Sequence, residues 1–294
     1  MKSVGKYQVV KSLGKGGFGE VYLVKDKQGD ACALKIFKPQ SDTLSASQGS
    51  QESQSEALET RDQMRTRFIN ESIVLKKLSH NPYIVNFRDA DQLEDGTPYY
   101  VMDYLEKSLS DRIGRDVFIS SAIKDLPVHE QPSALPISIA CIILEQLAQA
   151  LAEVHEDGLI HRDVTPKNIM FDKVGKVQLC DFGIAKLPDA KVSHSNLLLG
   201  VRNYMSPEQR LHTKYVTPAS DIYSVGVVAY RMLMGQLPEA SSVEPKVTLP
   251  GMGQALNDLI MQCLKQGVTI GFGFDRGIAF DQVSEAGIIL FAKP

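Results

Sequence analysis

Short runs of alternating apolar and polar residues, separated by glycine-bearing turns, occupy the first part of the chain. Tyr7 to Leu13, Glu20 to Asp26 and Ala31 to Phe37 are rich in β-branched and aromatic side chains, which favour strands. Val85 to Ala90 and Tyr99 to Leu105 show the same pattern. The pattern predicts a small antiparallel sheet.

A polar stretch interrupts this strand-rich region. Residues 39–64 are rich in Ser, Gln and Glu and have few apolar side chains, so we expect a mobile surface insertion that cannot bury enough surface to order itself. From about Arg65, apolar residues recur at helical spacing, and Pro82 follows the last of them. This spacing predicts a helix that ends near Ser79.

The remainder of the chain has mainly helical periodicity. Ile137 to His155, Ser220 to Met234 and Gln254 to Gln266 carry strong apolar faces, which predict helices. Ile169 to Phe171 and Val177 to Cys180 are short runs that predict strands.

A weak pattern over Phe280 to Phe291 predicts a last helix. The change of character near residue 105 predicts two lobes, residues 1–104 and residues 105–294, and an α+β fold. A cleft between two lobes is a common place for a ligand.

Composition excludes several classes of protein. The 294 residues are 43% hydrophobic and 23% charged, and 32 Lys and Arg against 35 Asp and Glu leave a net charge of −3. A chain of this composition is globular, and it has no overall basic field that would attract nucleic acid or acidic membranes. Its partners must therefore be recognised at local sites.

The cysteines and apolar stretches point to a reducing compartment. Cys32, Cys141, Cys180 and Cys263 are scattered without a C-x-x-C pair, so neither a disulfide framework nor a zinc site is predicted. The longest strongly apolar stretch has about eight residues, whereas a membrane span needs about 20. The first residues lack an apolar signal core. We expect a cytoplasmic protein without a membrane segment.

Three glycines form a candidate phosphate-binding loop. G-K-G-G-F-G places Gly14, Gly16 and Gly19 between two predicted strands, where missing Cβ atoms let backbone amides approach an anion. A dinucleotide-binding loop would open a helix, but here E-V-Y-L-V-K-D continues as a strand. A hairpin over phosphates and a plain glycine hairpin without a ligand both remain open.

Lys35 lies on the third predicted strand between apolar Leu34 and Ile36. Most strand lysines are solvated, but a buried ammonium needs an opposite charge. Glu71 on the following helix can supply that charge if the helix packs against the sheet. Such a pair would direct Lys35 at a phosphate.

Three further motifs follow in order. They are H-R-D-V-T-P-K-N at His161 to Asn168, D-F-G at Asp181 to Gly183, and S-P-E at Ser206 to Glu208. With the glycine loop and Lys35, they make the chain resemble a eukaryotic-type serine/threonine protein kinase from about Tyr7 to Gln266. The strings M-S-P-E-Q and Y-R-M-L-M-G-Q-L-P look most like those of bacterial kinases of this type. The resemblance implies a bilobal fold with a small antiparallel sheet and one helix, followed by a larger, mainly helical lobe.

The resemblance also implies the roles of the polar residues. Asp163 would accept or orient the proton of the substrate hydroxyl, and Lys35, held by Glu71, would grip the α- and β-phosphates of ATP. Asn168 and Asp181 would hold Mg²⁺ or Mn²⁺, which bind hard oxygen ligands. His161 would be structural.

Residues around Y-Y-V-M-D-Y-L resemble the kinase hinge. Backbone groups near Asp103 and Leu105 would bind adenine, and Met102 would be the gatekeeper. Val21, Ala33 and Met170 would form apolar walls, although a plain core would contain the same residues. By the same resemblance, Asp221 would brace the catalytic loop through backbone amides.

The chain departs from the family pattern beside the catalytic aspartate. Serine/threonine kinases usually carry Lys and Thr where this chain has Thr165 and Val201. We predict that Lys167 supplies the missing charge at the γ-phosphate. Further on, G-V-T-I-G-F-G-F-D-R replaces the usual D-P-x-x-R, and Arg276 is a candidate partner of Glu208.

The segment from residue 181 to residue 208 contains Ser193 and Ser195. Phosphate on either serine could pair with Arg162 and order this segment. We therefore predict autophosphorylation at one of them.

The main expectation is transfer of the γ-phosphoryl group of ATP to Ser or Thr hydroxyls of protein substrates and of the chain itself. Two alternatives stay open: a catalytically impaired pseudokinase that acts as a nucleotide-binding scaffold or switch, and a phosphotransferase acting on small molecules. Thr165 and Val201 favour the first alternative. The S-P-E segment argues against the second.

Overall fold

The computed structural model describes residues 3–16, 18–39, 51–117, 120–182, 203–211, 216–239, 243–265, 278–279 and 291–292. Contacts between residues divide them into two compact units. The first holds the residues up to Leu105 together with Phe182. The second holds Glu106–Asp181 and the described residues from 203 onward.

A six-stranded antiparallel sheet organises the first unit, in the order β1-β2-β3-β4-β6-β5. Its strands are β1 (Ser3–Val4), β2 (Tyr7–Lys15), β3 (Gly19–Lys25), β4 (Ala31–Phe37), β5 (Phe87–Gln92) and β6 (Pro98–Asp103). Each strand predicted in this part of the chain is present, with bounds shifted by at most two residues at either end. One face of the sheet carries a core that includes Tyr7, Val24, Leu34 and Val101.

The single long helix of this unit, α1 (Gln51–Leu78), begins well before the predicted start at Arg65. The predicted start is wrong because it was read from apolar spacing, which marks where a helix packs and not where it forms. Met64, Phe68 and Leu75 are buried, while the preceding Glu, Gln, Ala and Leu residues favour a helix by their propensity. Residues 51–64 of the predicted mobile insertion are therefore helical, and residues 40–50 lie outside the described part.

The second unit has a three-stranded sheet, in the order β7-β8-β9, and several helices. Its elements are β7 (Lys107–Ser108), α2 (Leu109–Ile113), α3 (Ile137–Glu156), β8 (Ile169–Phe171), β9 (Val177–Leu179), α4 (Pro207–Leu211), α5 (Pro218–Met234), α6 (Pro245–Thr248) and α7 (Gln254–Cys263). Two 3₁₀ turns, Ser120–Asp125 and Val128–Glu130, lie between α2 and α3.

Helix α5 lies at the centre of the hydrophobic core of the second unit. Most of its residues are buried, and it contacts α3, α6 and α7. Helices α5 and α7 approach closely at Gly226. A Cβ built on this glycine would lie 2.7 Å from Cβ of Cys263. Thr217 begins α5 with a capping box to Ser220, which satisfies amides at the helix start.

Helix α3 is, within the described residues, the one helix long and apolar enough to cross a membrane by length and composition. The sequence predicted no such segment. Half of the apolar stretch is buried inside the fold, including Leu147, Ala150 and Val154. The core helix of a folded unit has the same length and composition, so this resemblance to a membrane span is weak.

Two short strands, β10 (Ile278–Ala279) and β11 (Phe291–Ala292), pair antiparallel near the end of the chain. The sequence predicted a helix over Phe280 to Phe291. That prediction is wrong at Phe291, which pairs with Ala279 as a strand residue. Residues 280–290 lie outside the described residues.

Candidate active site

Lys35 and Glu71 form the predicted ion pair in the first unit. Lys35 Nζ lies 2.7 Å from Glu71 Oε1, and the two side chains are only 12% and 3% exposed. The pair forms because β4 directs Lys35 toward α1, which packs against the sheet at Phe68 and Leu75. Buried charges persist when each has an opposite partner in good geometry.

The glycine loop joins two strands, as the sequence predicted. Gly16 N–H donates to the carbonyl of Gly19 at 2.8 Å, and Gly14 pairs with Val21 across the hairpin. At Gly19 a Cβ would lie 2.1 Å from the carbonyl oxygen of Ile36, so β3 and β4 approach here only because the residue has no side chain. The hairpin geometry excludes a loop that opens a helix.

Glu20, which the sequence did not single out, lies directly after this loop with its carboxylate almost fully buried. It accepts hydrogen bonds from the Tyr22 hydroxyl and from the ammonium groups of Lys15 and Lys38, at 3.0 Å and 3.1 Å for the two lysines. These donors, the Tyr22 hydroxyl first, lower the pKa of Glu20 to about 2. Glu20 therefore stays ionised and joins the loop hairpin to the end of β4.

Two of the predicted adenine walls, Val21 and Ala33, share a face of the sheet with Lys35. Val21 pairs with Lys35, Ala33 pairs with Met102, and Lys35 pairs with Tyr100 in continuous register. Because cross-strand partners share a face and alternate residues return to it, these five residues lie on one side.

The predicted hinge begins where β6 ends. Asp103 is the last residue of β6, and its N–H donates to the carbonyl of Asn86 at 3.0 Å. The side chain of Asp103 accepts a hydrogen bond from Arg88. Leu105 is half-buried and is the last residue of the first unit before Glu106.

In the second unit, Asn168 holds Asp163. Asn168 Nδ2 donates to both the backbone carbonyl and Oδ2 of Asp163, each at 2.8 Å. Both amide hydrogens are thus committed, and Oδ1 of Asn168 remains as an acceptor that suits a hard cation.

Asp181 is brought next to Asn168 by the backbone, because the neighbouring Cys180 N–H donates to the Asn168 carbonyl at 3.0 Å. Asp181 has φ 57°, a left-handed conformation that is uncommon outside glycine and clusters at functional sites. No cluster of three or more His, Cys, Asp or Glu side chains suited to a metal occurs among the described residues. An Asn and an Asp are enough for Mg²⁺ when phosphates and water supply the other ligands.

Asp221, at the start of α5, binds the backbone of the loop that carries Asp163. Its carboxylate is 1% exposed and accepts the backbone N–H groups of His161 and Arg162, both at 2.8 Å. His155 Nε2 lies 2.8 Å from the same carboxylate. Arg162 has φ 67°, so these bonds hold a strained backbone beside Asp163.

His161 is fully buried and has a structural arrangement. Its Nε2 donates to the carbonyl of Cys180 at 3.1 Å, and its Nδ1 accepts the N–H of Asp163 at 3.3 Å. Burial lowers the pKa of His161, while Asp221 and Asp163 act in the opposite direction. A neutral imidazole with a proton on Nε2 satisfies both bonds.

The remaining predicted residues of this loop differ in exposure. Thr165 is buried and Lys167 is exposed. Met170 is half-buried in the middle of β8, between Ser108 on β7 and Gln178 on β9.

The S-P-E segment contacts the loop that carries Asp163 through Gln209. Gln209 Nε2 donates to the carbonyl of Arg162 at 3.0 Å, and Ser206 binds the Gln209 side chain. Glu208 accepts a hydrogen bond from Ser220 at 2.5 Å. The predicted partner Arg276 lies outside the described residues, as do Gly183, Ser193, Ser195 and Val201.

A second buried network lies near this segment, and the sequence did not predict it. Arg231 on α5 pairs with Asp116, and Tyr204 Oη donates to the same carboxylate at 2.9 Å. Burial, followed by the charge of Asp116, raises the pKa of Tyr204. Asp116 and Arg231 are 115 positions apart, so no local pattern could have indicated the pair.

Comparison with known proteins points to one family. The model of the family described as protein kinase domain matches residues 7–265. A probable serine/threonine-protein kinase of Clostridium perfringens is 31% identical over 278 residues, which cover 89% of this chain and 35% of that protein.

Two further bacterial proteins show similar likeness. The serine/threonine-protein kinase pkn2 of Myxococcus xanthus is 35% identical over 243 residues, 80% of this chain and 25% of its own length. The serine/threonine-protein kinase PrkC of Bacillus subtilis is 31% identical over 237 residues, 80% and 31% of the two lengths. The chain therefore spans about a third or less of the length of these relatives.

Proposed function

Because the chain belongs to the protein kinase family, we propose that it transfers the γ-phosphoryl group of ATP to Ser or Thr hydroxyls of proteins and of itself. The relatives named above are all described as serine/threonine-protein kinases. Their names support the acceptor class, and the protein substrates are part of the proposal.

The observation that carries the proposal is the arrangement of Asp163 and Asn168. Asn168 orients the Asp163 carboxylate by two hydrogen bonds of 2.8 Å. An ionised carboxylate in fixed orientation can accept the proton of an acceptor hydroxyl as that oxygen attacks phosphorus. Positioning is most of what phosphoryl transfer requires of a protein.

The donors present fit ATP with Mg²⁺ or Mn²⁺. Oδ1 of Asn168 and the carboxylate of Asp181 are the oxygen ligands that such cations take. A bound divalent cation would neutralise charge on the phosphates. Lys35, oriented by Glu71 at 2.7 Å, would bind the α- and β-phosphates.

We also propose a cytoplasmic location for this chain. Cys32, Cys141 and Cys263 are free thiols, and Cys32 and Cys141 are buried. Free thiols suit a reducing compartment.

The test is transfer of label from radiolabelled ATP, with Mg²⁺ or Mn²⁺, to myelin basic protein. Asp163→Ala should abolish transfer. Asp172→Ala is the matched control, because Asp172 accepts two backbone N–H groups in the turn between β8 and β9. It should leave transfer within about twofold.

Three other outcomes would contradict the proposal. ATP binding without transfer would indicate a nucleotide-binding pseudokinase. Label that appears only on a small molecule would indicate a different phosphotransferase. Transfer that persists in Asp163→Ala would remove Asp163 from its proposed role.

A further inference from the structure

Tyr100 shares the buried Glu71 carboxylate with Lys35. Tyr100 Oη donates to Glu71 Oε1 at 2.9 Å, and Lys35 Nζ lies 2.7 Å from the same oxygen. Lys35 and Tyr100 are direct cross-strand partners on β4 and β6. The ammonium also lies 5.8 Å from the centre of the Tyr100 ring.

The Tyr100 hydroxyl matters to Glu71 because the Glu71 carboxylate is buried. Tyr100 is 1% exposed and Glu71 is 2% exposed, so water has little access to the carboxylate. A buried carboxylate needs donors, and the cost of losing one is the desolvation of its oxygen. If Lys35 donates some of its ammonium hydrogens to phosphates, the uncharged Tyr100 hydroxyl keeps donating to Glu71 without competing for the anion.

The ring of Tyr100 is held in place by the same helix that carries Glu71. Its centre lies 5.3 Å from the ring of Phe68, which in turn packs edge-on against Phe37 at 5.7 Å. Phe68 and Glu71 are three positions apart on α1, so they project from one face of the helix. Tyr100 thus contacts α1 twice, by its ring and by its hydroxyl, and sets the rotation of the helix against the sheet.

We infer that Tyr100 is a positioning residue for the phosphate grip, because it fixes the Glu71 carboxylate from which Lys35 is aimed. This inference rests on the proposed binding of ATP to Lys35. Tyr100 acts through Glu71 and does not touch the nucleotide in this role. Its loss should therefore weaken the hold on Mg-ATP and leave the hold on the protein acceptor unchanged.

The chain offers a matched control in the adjacent residue. Tyr99 is 2% exposed and lies on the same strand. Because successive residues of a strand point to opposite faces, Tyr99 faces away from Glu71 and packs edge-on against Tyr7 at 6.3 Å. Tyr99→Phe removes a buried hydroxyl of equal size from the other side of the sheet.

The experiment compares wild type, Tyr100→Phe, Tyr99→Phe, Glu71→Gln, and Glu71→Gln combined with Tyr100→Phe, all in the full chain. Two quantities are measured: the dissociation constant of Mg-ATP, by displacement of a fluorescent nucleotide, and kcat with KM for ATP and for myelin basic protein. Tyr100→Phe should raise the dissociation constant and the KM for ATP at least threefold, with the KM for the acceptor unchanged. Tyr99→Phe should change neither by more than about 1.5-fold.

The double variant separates positioning from general stability. If Tyr100 acts through Glu71, Tyr100→Phe should have less than a 1.5-fold further effect when Glu71 is already Gln, because coupled residues are not additive. A purely structural role would lower the folded fraction, and hence the apparent kcat, without raising either ATP constant. Equal ATP constants for Tyr100→Phe and Tyr99→Phe, or full additivity in the double variant, would overturn the inference.

The outcome for the proposed function is read separately. If wild type binds Mg-ATP but transfers no phosphoryl group, the proposed kinase activity fails, while the dissociation constants still decide the role of Tyr100. If wild type does not bind Mg-ATP at all, both fail. If transfer is normal and Tyr100→Phe matches Tyr99→Phe, only the inference fails.

Discussion

The guanidinium of Arg231 lies 2.8 Å from Asp116, measured from Nε to Oδ1, although Arg231 has no exposed surface. It also donates to four backbone carbonyls, those of Ile113, Gly114, Arg115 and Ser133. The buried guanidinium of Arg231 on α5 thus donates hydrogen bonds to backbone carbonyls on both sides of the 3₁₀ turns.

Replacing Arg231 should therefore destabilise the second unit. Arg231→Met leaves Asp116 with the Tyr204 hydroxyl but without its opposite charge, and leaves four backbone carbonyls without the donor that they share. This should lower the free energy of unfolding by about 3 kcal/mol. Urea unfolding followed by circular dichroism measures the change. Arg88→Met is the control, because the Arg88 pair with Asp103 is about one third exposed on each side and should contribute less than about 1 kcal/mol. Equal losses in the two variants would contradict this account.

Asp221→Asn should slow phosphoryl transfer. The amide keeps one acceptor oxygen but places an NH₂ group where the carboxylate now meets donors from His161, Arg162 and His155. The strained backbone of Arg162, which has a positive φ, then loses hydrogen bonds that hold it. Asp163 is the next residue, so its position should change as well. We expect at least a tenfold lower rate, measured as initial velocity at saturating ATP.

Asp172→Asn tests whether this effect is specific to the brace. Asp172 likewise accepts two backbone N–H groups, from Val174 and Lys176, but in a surface turn. Its rate should stay within about twofold of wild type. A comparable loss in both variants would mean that Asp221 has no special role.

Lys167→Ala should lower the rate of phosphoryl transfer at least tenfold, about 1.4 kcal/mol. Thr165, two residues before it, is buried and has no charge, whereas Lys167 is exposed, and we expect its ammonium to bind the γ-phosphate. The measurement is the single-turnover rate with Mg-ATP. Lys173→Ala, an exposed lysine in the turn after β8, should have no effect. Full activity of Lys167→Ala would remove the prediction.

The protein should become less stable as the pH is lowered, because His161 is buried in the folded state. Burial lowers the pKa of His161 from 6.5. In mildly acidic solution the unfolded chain therefore binds a proton at this residue that the folded chain does not bind. The free energy of unfolding should thus decrease as pH falls below about 6.5, by up to about 1.4 kcal/mol per pH unit, and should not depend on this group above it.

Urea unfolding between pH 5 and 8 tests the role of His161. His161→Gln should remove this component of the slope, whereas His80→Gln, at an exposed position, should leave it in place. An unchanged slope in His161→Gln would show that another group is responsible.

Incubation with Mg-ATP should phosphorylate Ser193 or Ser195. Within the described part of the chain, Nη1 of Arg162 is buried without a hydrogen-bond partner, and burial lowers the pKa of this guanidinium. A phosphate carrying about −1.5 to −2 charge would supply acceptors for it. Peptide mass spectrometry should find the modification in wild type and not in Asp163→Ala. Finding neither serine modified would refute the prediction.

Local structure followed closely from residue patterns. Strand β8 lies over Ile169–Phe171, as the sequence predicts, and α3 extends one residue beyond the predicted His155. The start of α1 was missed because Gln, Glu, Ala and Leu favour a helix there before any apolar face requires one. The pairing of Lys35 with Glu71 was predicted from a general requirement, that a buried ammonium has an opposite charge.

Other contacts could not be predicted because they join distant segments. Tyr100 reaches Glu71 across 29 positions, and Lys38 reaches Glu20 across 18. From the sequence, a tyrosine on a strand cannot be distinguished from an ordinary core residue, because the helix that it contacts is not known. Only the rotation of α1 on the sheet puts the hydroxyl within 2.9 Å of the carboxylate.

The sequence by itself was sufficient to determine most of the strands and helices and to indicate which polar groups are candidates for binding a phosphate, since short-range spacing governs local structure. Tertiary packing decided the partners that the sequence did not indicate, as with Arg231 and Asp116 or Glu71 and Tyr100. The physical reason is distance: a hydrogen bond is made or lost within about 0.5 Å, and that precision arises only when segments far apart in the chain are packed against each other.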